Sequence, residues 1–124
     1  MVAEINDQIV GHILVTALII KGSEKVTQSL SLAPVSVLPD FQNQGIGGKL
    51  IEEAHRIAKY LGYSSVILLG HAEYYPRFGY VKASTFDITL PFGAPDENCM
   101  AIELVPDGLK GAEGLAEYPP EFYL

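Results

Sequence analysis

The sequence predicts a single α/β (α+β) domain over residues 1–124, built on a mixed sheet with antiparallel N-terminal strands. Two observations predict this fold class. Apolar, β-branched segments follow one another from Val2 to Val37 with short polar turns between them, which indicates an antiparallel meander. A segment of helical period then lies between two strand-like segments, which indicates a β-α-β crossover to a parallel neighbour. A chain of 124 residues is long enough for one domain with one core.

Three strands are predicted before the helix. The first covers Val2–Ile5, and the second covers Ile9–Ile20 with a bulge or a close approach at Gly11. The third, which includes Leu30, ends at Val37. Pro34 lies inside this strand and cannot donate to a ladder, so we expect irregular pairing there.

The helix is predicted from Ile46 to about Tyr60, with a left-handed cap at Gly62. Its charged residues form a solvated outer face, and His55 is expected among them as a surface residue rather than a ligand. The apolar segment Ser64–Leu69 follows and is typical of a buried central strand. The elements predicted after it are a short helix at Ala72–Phe78, a strand at Phe86–Leu90, a loop at Pro91–Asn98, a strand at Cys99–Val105, and an irregular tail from Gly108 pinned by Tyr118, Phe122 and Tyr123.

Charge and composition bear on several classes of function. The net charge of −7 disfavours a nucleic-acid partner, which would require a basic face. The longest apolar run, Ile13 to Ile20, is too short to span a bilayer, and the N-terminus lacks the features of a signal peptide. We therefore expect no membrane association and a cytoplasmic location. Cys99 is the only cysteine, so neither a disulfide framework nor a cysteine metal site is expected, and no metal is predicted.

A glycine-rich loop joins the third strand to the helix. Its residues are Gln42, Asn43, Gln44, Gly45, Ile46, Gly47 and Gly48. The first amides of a helix have no intrahelical partner, the helix dipole adds positive charge there, and glycines let an anion approach the backbone. The loop therefore suits a phosphate group, although a glycine-bearing helix start without any ligand would have the same pattern.

Two common phosphate-binding loops do not fit this segment. A Walker A loop would need glycine in place of Asn43 and serine or threonine in place of Leu50. A dinucleotide fingerprint would also need glycine at Leu50, and no acidic residue closes a following strand. The pattern Gln/Arg-x-x-Gly-x-Gly/Ala does fit, and it resembles the pyrophosphate loop of the GNAT (GCN5-related N-acetyltransferase) family. The resemblance implies that residues 42–48 bind acetyl-CoA as the acetyl donor.

A second motif resembles the same family. Tyr74 to Tyr80 matches the GNAT segment Phe-Tyr-x-x-x-Gly-Phe, in which the tyrosine commonly returns a proton to the coenzyme A thiolate. Tyr75 takes that position, and a phenol with a pKa of about 10 is a reasonable donor to a thiolate. For Tyr74, Phe78 and Tyr80 we expect an aromatic cluster instead, and Tyr75 could also be only part of that cluster. The amino-acid sequences of this segment and of the C-terminal tail resemble those of a bacterial subgroup, the YhbS-like predicted N-acetyltransferases.

The resemblance implies a fold, a reaction and further site residues. In the GNAT fold the sheet splays between the fourth and fifth family strands, and the pantetheine arm of the cofactor lies in the gap. By position, the amides of Val35 and Val37 would face the cofactor, with that of Val35 polarising the acetyl carbonyl. The acceptor would be a primary amine, in a small molecule or a peptide, attacking the thioester directly. No Ser-His-Asp set is evident and Cys99 lies in the last strand, so no acyl-enzyme is expected.

The sequence departs from the family pattern in three places. The strand and two helices that usually precede the hairpin have no counterpart in it. Some members place a glutamate base eleven positions before the loop, where Ser31 stands here. The asparagine often found after the fifth family strand is also missing, and His71 lies at the mouth of the site. We expect His71 or Glu73 to deprotonate the amine, directly or through water.

These departures leave two alternatives to an enzyme. One is a non-catalytic acyl-CoA-binding or regulatory protein of the same fold, and the other is a shortened chain whose open first strand is covered by a partner. One face of the second strand carries Ile13, Val15, Ala17 and Ile19, and the other carries Leu14, Leu18 and Ile20. Both faces need cover, but only one full helix is predicted. A homodimer that covers the open edge or the bare face is therefore expected.

Overall fold

The structure is a computed structural model that describes residues 2–5 and 7–119, with residues 33–35 described for their backbone only. Phe122 and Tyr123, which were predicted to pin the tail, lie outside the described residues. One α-helix, α1, covers Ile46–Tyr60. The strands are β1 Val2–Ile5, β2 Gln8–Lys21, β3 Val26–Val37, β4 Ser65–Leu69, β5 Val81–Lys82, β6 Ile88–Thr89, β7 Cys99–Glu103 and β8 Gly114–Glu117. Short 3-10 helices lie at Pro39–Phe41, Tyr75–Phe78, Ala83–Phe86 and Asp96–Asn98.

The strands form one mixed sheet in the order β5-β7-β4-β3-β2-β8-β6, with β1 also paired to β2. The pairs β1–β2 and β2–β3 are antiparallel, as the predicted meander requires. The pair β3–β4 is parallel and is connected through α1, which confirms the predicted crossover. β7 returns antiparallel to β4, so the last strand predicted with a clear pattern does pair back with the sheet.

The sheet opens between β3 and β4. Their parallel pairing is limited to Leu30 with Val66 and Ser31 with Ile67, although β3 continues to Val37. On the other side of β3, the register with β2 shifts between Ile13 and Val15, opposite the segment that contains Pro34. Proline cannot donate to the ladder, which accounts for the irregularity. The expected splay and the expected irregular pairing are both confirmed.

Helix α1 begins and ends where the sequence pattern predicts. Its buried residues are Leu50, Ile51, Ala54 and Ala58, which recur at helical spacing and pack on the sheet. The amide of Gly62 donates to the carbonyl of Lys59, and the amide of Tyr63 donates to that of Ala58. This pair of bonds, with Gly62 at a φ of 94°, is the Schellman ending that satisfies the last carbonyls.

Two apolar clusters cover the two faces of the sheet. The cluster under α1 includes Ile13, Leu32, Ile51, Val66 and Leu68, and the cluster on the opposite face includes Leu18, Ile20, Ile67, Ala101, Leu109 and Ala116. The alternation predicted for β2 is confirmed for Ile13 on the α1 side and for Leu18 and Ile20 on the opposite face. It is wrong for Leu14, which lines a groove on the α1 side next to the register shift between Ile13 and Val15. The opposite face is covered by residues from the C-terminal third of the chain, which was not predicted. On the α1 side, Leu14 and Val15 remain 46% and 36% exposed.

Three predicted elements differ in the structure. The helix expected at Ala72–Phe78 is reduced to the 3-10 helix Tyr75–Phe78, which has Pro76 in its first turn and ends at the left-handed Gly79. The strand expected at Phe86–Leu90 is only β6, because Phe86 ends a 3-10 helix and Asp87 has a φ of 58°. The tail was expected to be irregular, yet it contains β8, which pairs with Ile19–Lys21 of β2. β1 pairs with the other end of β2, so β8 covers an edge that β1 leaves open.

Candidate functional site: a cleft between the glycine loop and the Tyr74–Tyr80 segment

The glycine loop presents free amides at the start of α1. The first intrahelical bond runs from the amide of Lys49 to the carbonyl of Gly45, 3.0 Å away. The preceding amides, those of Ile46, Gly47 and Gly48, therefore have no acceptor within the helix. Gly45 caps the helix with a φ of 78°, in the left-handed region that favours glycine. These groups form an arrangement that suits an anion.

A cleft of about 460 Å³ lies in front of these amides. Its lining residues are Val37, Phe41, Gln42, Asn43, Gly45, Ile46, Gly47, Gly48, Tyr74, Arg77 and Phe78. Seven of the nine predicted cofactor residues therefore line the cleft: Val37 at the end of β3 and six residues of the glycine loop. Three residues of the second motif line it as well. Arg77 is the only charged side chain in this lining, in a chain whose net charge is −7. The cleft is therefore locally positive in an acidic protein.

Two glutamines hold the loop in place. The Nε2 of Gln42 donates to the carbonyl of Val37 at 3.0 Å, which ties the loop to the end of β3. The Nε2 of Gln44 donates to the carbonyl of Asp40 at 3.4 Å. Gln44 does not line the cleft. Its side chain instead closes the loop through the bond to Asp40.

The end of β3 borders the open gap in the sheet. The amide of Leu38 donates to the carbonyl of Val10 in β2 at 2.7 Å. Because successive amides of an extended chain point to opposite edges, the amide of Val37 points away from β2. Val35 lies two positions earlier and faces Ile13 in the register with β2. The amide of Val37 therefore faces away from β2, and its contact with a cofactor stays a prediction.

Tyr75 lies within the predicted aromatic cluster, which the structure confirms. Its ring meets the rings of Tyr74 and Tyr80 edge-on, with centroids 5.1 Å and 5.8 Å away, and Tyr74 meets Phe78 at 5.4 Å. Tyr75 is half-buried, and burial, followed by the nearby Tyr74 phenol, raises the pKa of Tyr75 above its ordinary value. The phenol therefore keeps its proton at neutral pH.

The second motif touches the glycine loop directly. A side-chain carbon added at Gly48 would lie 3.3 Å from Cε1 of Phe78, so helix α1 and the Tyr75–Phe78 turn are in van der Waals contact. Arg77 lies across Tyr74, with its guanidinium carbon 4.6 Å from the ring centroid and its Nε donating to the Tyr74 carbonyl at 2.8 Å. The cleft thus has one wall from each motif.

The two residues predicted as bases lie in a neighbouring cleft. His71 and Glu73 are both exposed and line a cavity of about 690 Å³ together with Ala72, Tyr74, Arg77, Glu97 and Asn98. Tyr74 and Arg77 line both cavities and separate them. Tyr75 lines neither cavity, and its ring lies against Gly70, Tyr74 and Tyr80. The structure brings His71 and Glu73 near the aromatic cluster but on the side away from the glycine loop.

Ser31 and Cys99 are both buried. Ser31 is 4% exposed and stands at the last parallel pair before the sheet opens, outside the lining of both clefts. The Sγ of Cys99 lies 3.5 Å from the carbonyl of Pro95, in the core cluster on the face opposite α1. Burial raises the pKa of this thiol, and the nearby Asp96 raises it further. Cys99 is therefore poorly suited to act as a nucleophile.

His55 is not the simple surface residue that the sequence pattern predicts. Its Nε2 lies 2.7 Å from the hydroxyl of Tyr80, whose side chain is only 2% exposed. Burial lowers the pKa of His55, and the nearby Glu52 opposes this shift. The helical spacing of His55 from Ile51 and Ala58, both buried, was a signal in the sequence that it could face inward. This pair ties α1 to the end of the second motif.

Two residues outside the predicted set also shape the site. Gly70 follows β4, and Asn98 precedes β7; each donates one hydrogen bond to the other's backbone carbonyl. Neither residue belongs to a motif that could have been recognised in the sequence.

Among the described residues, no group of three or more His, Cys, Asp or Glu side chains could hold a metal ion. In the same part of the chain, no helix has the length and apolar character needed to cross a membrane.

Comparison with known proteins agrees with this geometry. Residues 1–82 match the acetyltransferase (GNAT) domain family. The chain is 35% identical over 99 residues to the uncharacterized N-acetyltransferase YjhQ of Escherichia coli, covering 79% of this chain and 55% of YjhQ. It is 27% identical over 115 residues to YhbS of the same species, covering 93% of this chain and 68% of YhbS.

Solved structures extend the likeness to three dimensions. The crystal structure of Escherichia coli YhbS in complex with CoA superposes with a TM-score of 0.88 at 26% identity, covering 95% of this chain and 64% of that one. A GNAT family acetyltransferase from Brucella melitensis in complex with acetyl-CoA gives 0.73 at 36% identity, covering 98% of this chain and 66% of that one. The chain thus spans between about half and two thirds of these relatives. The family match, the splayed sheet and the glycine loop at the start of α1 together establish that this chain belongs to the GNAT family of acetyltransferases.

Proposed function

We propose that the protein transfers an acetyl group from acetyl-CoA to a primary amine by direct attack, with Tyr75 as the general acid. The observation that carries the proposal is the cleft between the glycine loop and the Tyr74–Tyr80 segment. These two motifs are separated along the chain but share one cavity, with Phe78 packed on the first turn of α1. The complexes of the YhbS and Brucella melitensis relatives with CoA and acetyl-CoA support the choice of donor.

The pyrophosphate is proposed to bind the amides at the start of α1. Ile46, Gly47 and Gly48 supply free N–H groups, and Arg77 supplies the one charged side chain of the cleft. An anion gains both from the helix dipole and from a guanidinium, whose donors suit phosphate oxygens. Arg77 is already oriented by its bond to the Tyr74 carbonyl, so little ordering is needed on binding.

The pantetheine arm is proposed to lie in the gap between β3 and β4. Pairing there stops after Ser31 and Ile67, so the end of β3 has an open edge on that side. The outward direction inferred for the amide of Val37 supports pairing with the arm. The amide of Val35 would polarise the thioester carbonyl and stabilise the oxyanion that forms when the amine attacks.

Tyr75 is proposed to protonate the departing thiolate. Burial raises its phenol pKa, which makes it a weaker acid than a free phenol but keeps the proton in place at neutral pH. The proposal requires the Tyr75 hydroxyl, which lines neither cavity, to meet the thiolate when the cofactor is bound. A thiolate that leaves into a poorly solvated environment would itself be more basic, so the phenol would remain a suitable donor. His71 or Glu73 would take the proton from the amine, directly or through water, since both line the neighbouring cavity.

The test has two stages. Acetyl-CoA is first titrated into the protein by calorimetry, and thiol release is then measured against a panel of primary amines, both free and within peptides. The proposal expects saturable binding and amine-dependent release of CoA with acetylation of the amine. A protein that binds neither CoA nor acetyl-CoA would contradict it.

A non-catalytic acyl-CoA-binding or regulatory protein is the second candidate. It is favoured by Ser31, which is buried and carries no charge at the position where some family members have a base. This alternative expects binding of acetyl-CoA without turnover for any amine of the panel. It also expects that Tyr75→Phe changes neither the affinity for acetyl-CoA nor the release of CoA, and affects only the stability of the protein.

A further inference from the structure

The ring of Tyr75 occupies the space that a side chain at position 70 would need. A side-chain carbon built on Gly70 would lie 2.3 Å from Cε2 and 2.8 Å from Cδ2 of Tyr75. Carbon atoms in proteins do not approach so closely, since their optimal separation is about 3.5–4.0 Å. Glycine at this position is therefore a condition for the observed place of the ring.

The backbone of Gly70 is held from both sides. Its amide donates to the carbonyl of Asn98 at 3.0 Å, and the Nδ2 of Asn98 donates to the Gly70 carbonyl at 2.9 Å. These bonds continue the β4–β7 ladder, in which Leu69 faces Cys99, beyond its last paired residues. A crowded Gly70 could not retreat without breaking this pairing, so the ring of Tyr75 would have to move instead.

The other sides of the ring leave it little freedom. Tyr74 and Tyr80 contact it edge-on, with ring centroids 5.1 Å and 5.8 Å away. Tyr80 is itself buried and bonded to His55. A displaced Tyr75 ring could therefore move only outward, towards solvent.

We propose that Gly70 and Asn98 are positioning residues for Tyr75, with Gly70 leaving room for the ring and Asn98 fixing the backbone beneath it. The inference rests on the proposed function, because it gives Tyr75 the role of proton donor. A general acid acts only within hydrogen-bonding distance, about 2.6–3.2 Å, of the atom that it protonates. A displacement of about 1 Å can therefore cost roughly a hundredfold in rate.

The main test is the variant Gly70→Ala. We expect kcat to fall by about a hundredfold, as far as in Tyr75→Phe, with the KM for acetyl-CoA within about twofold of the wild type. The double variant Gly70→Ala/Tyr75→Phe should be no slower than Tyr75→Phe alone, because the misplaced hydroxyl is already gone. A merely structural role would instead give effects that multiply.

A second pair of variants tests the steric contact without any assay of turnover. Gly70→Ala should lower the melting temperature more in the wild type than in a Tyr75→Ala background, where the ring is absent and the remaining close contact is Cδ1 of Leu68, 3.1 Å from the added carbon. In Gly70→Ala the Tyr75 phenol, identified by difference from Tyr75→Phe, should titrate closer to the ordinary value of 10.0, since the ring has moved outward. Should Gly70→Ala not fold, Asn98→Ala is expected to lower kcat in the same manner but by a smaller factor.

The outcomes separate this inference from the proposed function. Wild-type kcat in both Gly70→Ala and Asn98→Ala, with a slow Tyr75→Phe, would overturn the positioning role and leave the function in place. Wild-type kcat in Tyr75→Phe would overturn the acid role and the positioning role together. An unshifted Tyr75 titration in folded Gly70→Ala would overturn the displacement whether or not the protein turns over.

Discussion

At the scale of single residues, the properties of Tyr75 come from its neighbours. The ring is enclosed by Tyr74, Tyr80 and the backbone of Gly70, and burial raises its pKa. A phenol in water is a stronger acid than this one, and its ring has no fixed position. The chemistry proposed for the site therefore depends on packing as much as on the identity of the residue.

Removing the hydroxyl of Tyr75 tests its role directly. Tyr75→Phe keeps the ring and its edge-on contacts, so the fold and the affinity for acetyl-CoA should be retained. The rate should fall by about two orders of magnitude, because the thiolate would have to take its proton from water. Steady-state kinetics and calorimetry measure the two effects separately. Full activity would mean that Tyr75 contributes only packing.

The pH dependence of kcat follows from the raised pKa of Tyr75. A raised phenol pKa means that the proton-bearing form persists to higher pH than in a free tyrosine, whose value is 10.0. We therefore expect no decline of kcat from ionisation of Tyr75 up to pH 10. The expectation would be contradicted if kcat of the wild type fell between pH 8 and pH 9 and kcat of Tyr75→Phe did not. Tyr75 would then ionise more easily than its buried environment allows.

His55 links protonation to stability. Its pKa is lowered from 6.5 by burial, so the unfolded chain binds a proton more readily than the folded one. The stabilisation is fully present above pH 6.5 and is lost as the pH falls through the lowered folded-state pKa. The melting temperature should therefore fall between pH 7 and pH 5 more steeply in the wild type than in His55→Gln. Equal slopes in the two proteins would contradict this contribution.

At the scale of elements, the start of α1 and the Tyr75–Phe78 turn lie against each other and line one cleft. Their contact runs through Gly48 and Phe78, and Arg77 extends from the turn into the cleft. The helix supplies free amides and a dipole, whereas the turn supplies a cation. Neither element alone provides both.

The glycine loop can be tested at Gly47. Gly45 has a positive φ, so replacing it would strain the backbone as well as fill the cleft. Gly47 lies in the first turn of α1 and lines the cleft, which makes Gly47→Val the clearer variant. We expect the Kd for acetyl-CoA to rise by about tenfold or more, with the far-ultraviolet circular dichroism unchanged. Unchanged affinity by calorimetry in the folded variant would remove the loop from the binding site.

Arg77 can be tested against a matched arginine. Arg77→Gln removes the one charged side chain among the described residues that line the cleft, whereas Arg56→Gln removes an exposed arginine that is paired with Glu53 on α1. We expect Arg77→Gln to raise the Kd for acetyl-CoA by about three- to tenfold and Arg56→Gln to leave it unchanged. Turnover of a short acetyl thioester without phosphates should be equal in all three proteins. Equal affinity for acetyl-CoA in both variants would exclude a phosphate contact by Arg77.

At the scale of the whole molecule, the two faces of the sheet are covered unequally. The face opposite α1 is closed by the C-terminal third of the chain, through Leu109, Ala116 and Tyr118. The face under α1 leaves an apolar groove lined by Ile13, Leu14, Val15, Ala17, Leu30, Ala54, Ile57, Leu61 and Tyr63. Apolar surface of this kind favours association in water.

The homodimer expected from the sequence stays a prediction and can be tested on this groove. Sedimentation of the 124-residue protein at micromolar concentrations should show a dimer that dissociates on dilution. Leu61→Lys, at an exposed residue of the groove, should shift the equilibrium to monomer. Leu115→Lys, at an exposed leucine of β8 outside the groove, should not. A soluble, active monomer throughout would rule out the dimer.

Elements with a local pattern could be predicted from the amino-acid sequence. Local patterns account for helix α1, its left-handed cap at Gly62, the three N-terminal strands and the crossover to β4, through the spacing of apolar residues and through glycine and proline. The two motifs and their family followed as well, since each is a contiguous segment. Such features depend on neighbours along the chain, which a sequence displays.

Contacts between residues that are distant along the chain could be seen only in the folded protein. Gly70 with Asn98, and His55 with Tyr80, meet only because the register of β4 with β7 and the packing of α1 on the sheet bring them together. The short strand β8 could not be recognised from its pattern, because it is defined by an open edge of β2 rather than by its own residues. Pairing and packing across the sheet are properties of the folded chain, so the place of the Tyr75 ring became visible only in three dimensions.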